Sequence, residues 1–466
     1  MSKIITRNFI NKNIKYIDYN VNFEYDFDTL SREIDAFKNL LQHHGVDSST
    51  SKSAVIAFNP GIQQTACMFA CFELGVEICL IDYHRIDHFN KKKYIDPKTK
   101  RLMPIDYCIG ETNTSSGKLG YFSMICNKLI SYQDSKLDYT PNTDIFCKPD
   151  SLIMRCTSSG TTGTPKLIKH THKFMYHLAK RNTKFYYGNC ALIYNLNHGS
   201  SFATYFLPIM HNASTSSVYS IYETGDKFCN SNFDKVNKFL KNIDHIMLSY
   251  SRDINNIISK SNPKVIIYTL SSISNKWKSY KDKTVKDIIS FFGCNETSGP
   301  TLINKLSFTD FRSDQYRLVD DFYKIKITNK TLHVKLPFYD NLEINTKDMF
   351  ILHPKNNSYI FKGRKDLIKI SGTPVNQKSY KLIIKENNIV NSELIYDIQE
   401  NLIYLAVWKK TKDLENKVKN ASIEIEKLSN NAHGINKYAV VTKEWFLTGI
   451  KIDNEMIREY FRNFVN

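Results

Sequence analysis

Ser158-Ser159-Gly160-Thr161-Thr162-Gly163-Thr164-Pro165-Lys166 is the most unusual stretch of this chain, and its setting decides the fold. The run Leu152 to Thr157 before it reads as a buried strand, and Leu167-Ile168 after it as a short apolar segment. A helix carrying Phe174, Met175, Leu178 and Ala179 on one face follows. Small residues between two strand-like segments leave backbone N–H groups uncommitted. Four hydroxyls lie within Ser158–Thr162 and a lysine closes the loop, a composition suited to wrapping polyphosphate oxygens. A Walker A loop needs Gly-Lys-Ser/Thr opening a helix. Here Pro165 separates Gly163 from Lys166 and a strand-like segment follows. On its own, the same composition also fits an ordinary surface loop.

Working outward, residues 29–45 read as an amphipathic helix, with Thr29 or Ser31 as N-cap, Ile34, Phe37, Leu40 and Leu41 on one stripe, and Gly45 as the stop. Ala54 to Phe58 reads as a buried strand, Ile62 to Leu74 as an apolar helix ended by Gly75, and Val76 to Ile81 as a second strand. That βαβ unit predicts a parallel sheet with helices packed on it, a doubly wound α/β architecture. Residues 84–150 are polar and poorly periodic. Downstream, Val265 to Leu270 reads as a strand, Val285 to Phe291 as a helix feeding a strand, and residues 322–340 as a hairpin or small sheet. The last hundred residues are mixed, with a strand at Leu402 to Trp408, a charged helix across 411–429 and a final helix from Asn454.

At 466 residues the chain has room for two to four domains. With 42% hydrophobic and 24% charged residues, wholesale disorder and a membrane-spanning bundle are disfavoured. No apolar run approaches the ~20 residues that cross a bilayer, and the N-terminus has no h-region, so a soluble, cytoplasmic protein is expected. The net charge of +18 would suit a polyanion, but Lys91-Lys92-Lys93 is the one tight triplet, so a nucleic-acid partner is disfavoured. Ten cysteines without a CxxC pair read as buried thiols in a reducing compartment.

Three further elements carry chemistry. Phe292-Gly293-Cys294-Asn295-Glu296-Thr297 offers a ring that could stack on a base and a hard oxygen ligand for Mg²⁺, although a strand-end turn explains it equally simply. Thr346-Lys347-Asp348 precedes Gly363-Arg364-Lys365-Asp366, so that an acid and an arginine on consecutive strands could reach the hydroxyls of one sugar. Thr448-Gly449-Ile450-Lys451 puts a lone lysine on a glycine turn before the last helix.

Together, in this order and spacing, these elements resemble the adenylate-forming superfamily of acyl-CoA synthetases, nonribosomal-peptide adenylation domains and beetle luciferases. The loop matches that family's signature, Phe292 to Glu296 its Tyr-Gly-x-Thr-Glu element, Thr346 to Asp348 its Thr-Gly-Asp, Gly363 to Lys369 its Gly-Arg-x-Asp hinge, and Lys451 its near-terminal catalytic lysine. The resemblance runs from about residue 31 to the C-terminus. It implies a large N-terminal domain, 1–365, of doubly wound α/β subdomains with a small β-barrel-like part, and a small mobile α+β lid, 366–466. Ser159, Gly160, Thr161, Thr162, Gly163 and Lys166 would hold the β- and γ-phosphates of ATP. Phe292 would stack on adenine, with Asn295 beside the nucleotide, Glu296 would hold Mg²⁺, and Asp348 and Arg364 would bind the ribose. Lys451 would bridge the carboxylate and the α-phosphate, and Asp366 would be the hinge.

The implied reaction is adenylation of a carboxylic acid followed by transfer to a thiol, either CoA or a carrier's phosphopantetheine. His198, in Asn197-His198-Gly199, lies where the family's catalytic-site histidine lines the acyl site and thiol tunnel; a core histidine without a role is the competing reading. Amino-acid-activating members carry an Asp there and this segment has none, which favours an aryl or fatty acid. A stand-alone amino-acid adenylation domain and a weakened relative kept as a binding or scaffold subunit are the alternatives. Departures from the pattern are Asn295 for threonine, Lys347 for glycine, the extra Ile450, Ser271-Ser272 for paired glycines, and Ser290 for an amide.

Overall fold

The helix Phe27–His43 shows how local chemistry sets the framework. Asp26, in extended conformation, caps it by accepting the Thr29 N–H at 2.8 Å. The expected cap at Thr29 or Ser31 is therefore corrected: Thr29 lies inside the first turn and is the residue being capped. Gly45, at φ +90°, ends the segment in a conformation that favours glycine.

The computed structural model describes residues 3–18, 23–49, 52–58, 61–80, 105–110, 126–132, 137–157, 167–192, 196, 199, 201–220, 241–248, 265–269, 287–305, 315–339, 342–364, 368–370, 373–375, 377–397, 400–429, 433–442, 447–448, 451–452 and 454–464. Its strands are β1 (Lys15–Asp18), β2 (Phe23–Tyr25), β3 (Lys52–Ala57), β4 (Val76–Leu80), β5 (Ile105–Gly110), β6 (Cys126–Ser131), β7 (Leu152–Thr157), β8 (Leu167–Thr171), β9 (Gly188–Leu192) and β10 (Thr215–Ser220). There follow β11 (His245–Leu248), β12 (Val265–Thr269), β13 (Asp287–Phe292), β14 (Leu302–Lys305), β15 (Gln315–Leu318), β16 (Lys324–Thr328), β17 (Thr331–Lys335), β18 (Glu343–Leu352) and β19 (Tyr359–Arg364). The last are β20 (Ile368–Ile370), β21 (Thr373–Val375), β22 (Ser392–Asp397), β23 (Leu402–Val407), β24 (Lys437–Val440), β25 (Leu447–Thr448) and β26 (Lys451–Ile452).

One six-stranded sheet has the order β6-β5-β3-β4-β7-β8, parallel except for β8, which turns back antiparallel on β7. A second sheet of thirteen strands has a parallel centre, β1-β10-β9-β11-β12-β13, and an antiparallel arm that runs from β14 through β15, β19, β18 and β17 to β16. That arm stands where a small β-barrel-like part is expected. The helix Ile62–Glu73 is buried at every residue except Gln63, which explains why its apolar residues spread round the helix rather than forming one stripe. Phe37, Phe69, Phe72, Met154, Phe174, Val218 and Ile289 belong to one core cluster reaching from Ile5 to Phe350. Buried residues between Ile370 and Phe461 form two further clusters around β22 and β23.

Two readings change. The segment expected as a helix at 285–291 is, over its described part, the strand β13, buried between β12 and β14. A short run such as Ile-Ile-Ser-Phe-Phe has no period to tell a buried strand from a buried helix. The 84–150 region contains β5 and β6, which complete the six-stranded sheet.

Charges are buried where the N-terminus meets the first two helices. Lys38 and Glu73 are 0% and 1% exposed and pair at 2.9 Å. Arg7 reaches Glu73 at 2.9 Å and Asp35 at 2.7 Å. Burial would raise the Glu73 pKa, but hydrogen bonds and charge from Arg7, with Lys38, outweigh it and hold the carboxyl below its usual value.

His172, at the start of the helix His172–Asn182, is fully buried and its Nδ1 accepts the Ile5 N–H at 3.1 Å. Burial pushes its pKa down to about 3 from an ordinary 6.5. The unfolded chain therefore takes up the proton first as pH falls, and stability is lost from about 6.5 downward. At pH 5 the loss is about 2 kcal/mol. Denaturation at pH 7 and pH 5 should show wild type losing that much more than His172→Asn, which keeps an acceptor for Ile5 without a titrating ring. An equal loss in both would exclude it.

Candidate active site

Strands β7 and β8 pair up to Cys156 with Ile168 and Thr157 with Leu167, so the chain leaves toward residue 158 and returns at 167 side by side. The phosphate-loop residues Ser159, Gly160, Thr161, Thr162, Gly163 and Lys166 lie outside the described residues, as do His198, Ser271, Ser272 and Asp366. What the structure describes is the pair of strand ends on either side of residues 158–166, with the segments that lie near them.

Cys156 lies at one of these strand ends. A Cβ on Gly199, the neighbour of His198, would lie 4.0 Å from the Cys156 sulfur. Burial, with the negative charge of Glu296 added, pushes the Cys156 thiol up to about 12. Burial first, then the charges of Glu296 and Asp348 among other contributions, raises the Cys294 thiol. Glu296 therefore lies within electrostatic reach of both thiols, Asp348 within reach of Cys294, and Gly199 beside Cys156.

Glu296 sits half-buried in a tight turn after β13. The Thr297 hydroxyl oxygen accepts the Cys294 N–H at 3.1 Å and itself lies 2.9 Å from the Cys294 carbonyl oxygen, closing the turn. A Cβ at Gly293 would drive into the Gly299 carbonyl oxygen, which is the physical reason for glycine in this motif. Gly293→Ala is expected to cost about 1–3 kcal/mol through that overpacking. A chemical-denaturation midpoint equal to wild type would refute it.

Phe292 differs from expectation. Its ring is 4% exposed and packs against Phe350 at 4.8 Å, Phe361 at 5.6 Å and Tyr316 at 6.0 Å. An open face for adenine is not what this arrangement presents, because β13 is buried on both sides. Ser290, also buried, lies 3.5 Å from the Tyr316 hydroxyl. Asp348 and Arg364, by contrast, are brought opposite one another on β18 and β19. Asp348 is 1% exposed, and the Thr346 hydroxyl, which donates to the Leu332 carbonyl at 2.9 Å, accepts the Asp348 N–H at 3.2 Å.

Lys347 occupies a left-handed conformation, φ +62°, with its N–H donating to the Asn345 side chain at 2.8 Å. A residue with a Cβ thus holds a conformation that favours glycine. Lys347→Gly should stabilise the protein by about 1 kcal/mol. A lower midpoint in denaturant would contradict that. On β25 and β26, Thr448 pairs with Lys451, so the lysine follows a hairpin turn.

Sequence reading missed His170, Tyr323 and Tyr339. His170 on β8 is buried, with Nε2 3.3 Å from the Asn295 carbonyl oxygen and Nδ1 3.2 Å from the Tyr339 hydroxyl. The Tyr323 hydroxyl donates to the Thr297 carbonyl at 2.7 Å. Nothing in the local pattern marks these residues, since their partners are distant in sequence.

Among the described residues, no group of three or more His, Cys, Asp or Glu could hold a metal ion. Glu296 nevertheless fits Mg²⁺, which is commonly held by one or two carboxylates plus substrate phosphates. The neighbouring thiols stay protonated and so do not compete as soft ligands.

These features define a class before any particular relative: the chain has the fold of the adenylate-forming enzymes. It is similar over 97% of its length to 96% of o-succinylbenzoate CoA synthetase from Bacillus subtilis, with a TM-score of 0.66 at 15% identity. It is likewise similar, over 98% of its length and 96% of the other chain, to an artificially fused adenylation-PCP di-domain NRPS from Klebsiella oxytoca, with a TM-score of 0.65 at 11% identity. An anthranilate CoA ligase in complex with anthranoyl-AMP matches over 98% of both chains, with a TM-score of 0.61 at 12% identity. No protein-family model and no curated protein sequence matches the chain. The structural match takes in the N-terminal residues before 31 that the motif resemblance left out. No helix among the described residues is long and apolar enough to cross a membrane.

Proposed function

We propose that this chain is an ATP-dependent, AMP-forming acid–thiol ligase, with residues 1–365 as the nucleotide- and acid-binding body and residues 366–466 as the lid that brings Lys451. The observation that carries the reading is the convergence, on the rim around Cys156 and Cys294, of the ends of the phosphate loop, the Glu296 turn and the acid of the Asp348–Arg364 pair.

The residues divide the work by charge. Lys166 and the amides of Ser159 to Gly163 bind the β- and γ-phosphates, and Asp348 and Arg364 take the ribose hydroxyls. Phe292, already enclosed by rings, forms a fixed wall of the nucleotide site. Glu296 would hold Mg²⁺, which would supply charge neutralisation as pyrophosphate leaves. Lys451 holds the acid's carboxylate against the α-phosphorus, where an oxygen attacks in line and the bond to pyrophosphate breaks. His198 lines the approach for the thiol, whose sulfur attacks the acyl carbon and expels AMP. Positioning and preorganised charge account for most of the rate in chemistry of this kind.

The acid assigned is aryl or fatty, because Asn197 to Ser201 offers no carboxylate for an α-ammonium group. The acceptor is CoA or a carrier's phosphopantetheine. Pyrophosphate release with ATP across aryl, fatty and amino acids, trapped with hydroxylamine, tests the reading. Release with an acid lacking an α-amino group is expected. Release with amino acids alone would overturn the substrate assignment, and release with none would overturn the activity. Exchanging CoA for a loaded carrier then identifies the thiol.

A further inference from the structure

We propose that His170, oriented by Tyr339, is a positioning residue that ties the exit strand of the phosphate loop to the Mg²⁺-binding turn and thereby sets the affinity for the metal–nucleotide complex. This rests on the ligase reading above and names residues which that reading does not use.

The hydrogen bonds assign their own direction. The Asn295 carbonyl can only accept, so His170 Nε2, 3.3 Å away, carries the hydrogen. Burial lowers the His170 pKa to about 4, so the ring is neutral near pH 7 and Nδ1 is left as an acceptor. The Tyr339 hydroxyl must then donate to Nδ1 at 3.2 Å, and it accepts the Thr171 N–H at 3.2 Å in return. The imidazole is stacked on Phe174 at 4.7 Å and 15°, which fixes its plane. A single chain of bonds thus runs from Tyr339 through His170 to the carbonyl just before Glu296.

On the far side of Glu296, the Tyr323 hydroxyl holds the Thr297 carbonyl at 2.7 Å. The carbonyls of the residues on either side of Glu296, Asn295 and Thr297, are therefore both anchored to buried side chains. The two anchors differ in origin. Tyr323 belongs to the antiparallel arm, whereas His170 lies on β8, four residues after Lys166. A shift of the β8 end on phosphate binding would reach the Glu296 turn through this one side chain, whose plane and hydrogen bonds are fixed. Groups that act on a metal through its ligands typically change metal affinity 10–100-fold when removed.

The test is the Mg²⁺ dependence of ATP binding, measured by calorimetry on the full chain, together with thermal unfolding of each variant. His170→Phe keeps the stacking and loses the donor; it is expected to raise the Mg²⁺ concentration for half-maximal ATP binding at least about tenfold. His170→Gln, whose amide can donate at similar reach, is expected to restore it to within about threefold of wild type, whatever either variant does to stability. A purely structural His170 would lower the unfolding midpoint without moving the Mg²⁺ dependence, and that result overturns the inference. So does an equal shift in both variants. If His170→Phe does not fold, Tyr339→Phe decides: it removes the donor to Nδ1, and an unchanged Mg²⁺ dependence refutes the chain of bonds while a shifted one supports it. Wild-type protein that binds no ATP would overturn the ligase reading and this inference with it, whereas normal wild-type binding with an unshifted His170→Phe overturns this inference alone.

Discussion

Lys451→Ala is expected to lower acyl-adenylate formation by on the order of 10²–10³ while leaving ATP binding measurable. Adenylation brings a carboxylate and a triphosphate onto one phosphorus, and a positioned cation at that point acts on the transition state more than on either ground state. On the function proposed above, the phosphate loop, Glu296, Asp348 and Arg364 would still hold the nucleotide when the lysine is gone, so the loss would fall on turnover rather than on binding. Lys451 also opens the second strand of a hairpin, Leu447–Thr448 with Lys451–Ile452, and its backbone is paired with Thr448. Lys451→Arg keeps the charge but changes its shape and reach, and should recover only part of the rate. Stopped-flow pyrophosphate release, with ATP binding measured separately, checks both. Wild-type adenylation in Lys451→Ala would remove the lysine from the mechanism.

Glu73→Ala is expected to destabilise the protein by about 3–5 kcal/mol, because it strands buried positive charge. Lys38 is 0% exposed, and its remaining recorded partner in the variant is the Asn142 carbonyl at 2.7 Å. Arg7 would keep Asp35 and Ser31 but lose its bidentate grip on Glu73. Removing both charges with Lys38→Met/Glu73→Leu should recover much of the loss, since well-packed apolar replacements of buried ion pairs are often neutral or better. The wild-type contribution depends on pH in a fixed direction. The Glu73 pKa is held below 4.5 in the folded state, so the stabilisation is present above that value and lost as pH falls through the lowered one. Urea midpoints for the single and double variants decide the matter; a single variant as stable as wild type would show the network to be dispensable.

The sequence disclosed the parts that depend on neighbours in the chain. Strand–helix–strand alternation between residues 52 and 80 gave the parallel pairing of β3 and β4, and Leu152 to Thr157 was readable as a strand because its residues are apolar and end at small ones. The spacing of Asp348 and Arg364 anticipated their cross-strand pairing, since a hairpin fixes register locally. What stayed hidden depends on distant partners. Asp287 to Phe292 lacks a period because both faces are covered, and Phe292 resembles an exposed stacking ring until Phe350 and Phe361 close on it. His170 looks like one polar residue in a strand, and only the arrival of Asn295 and Tyr339 gives it a task.

The placement of β1 also bears on how the molecule is made. Lys15 to Asp18 pairs in parallel with Ser217 to Ser220, so β1 leaves the ribosome long before its partner and waits for it. Closing so wide a loop costs entropy before any contact repays it, which makes this docking a late and slow step. Meanwhile β1 is an exposed edge open to pairing with another chain. The contacts from Arg7 to Asp35 and Glu73 join residues that emerge close together in time. They can tether the waiting strand beside the early helices, so the buried charges that cost most to desolvate also guard the nascent chain against misassembly.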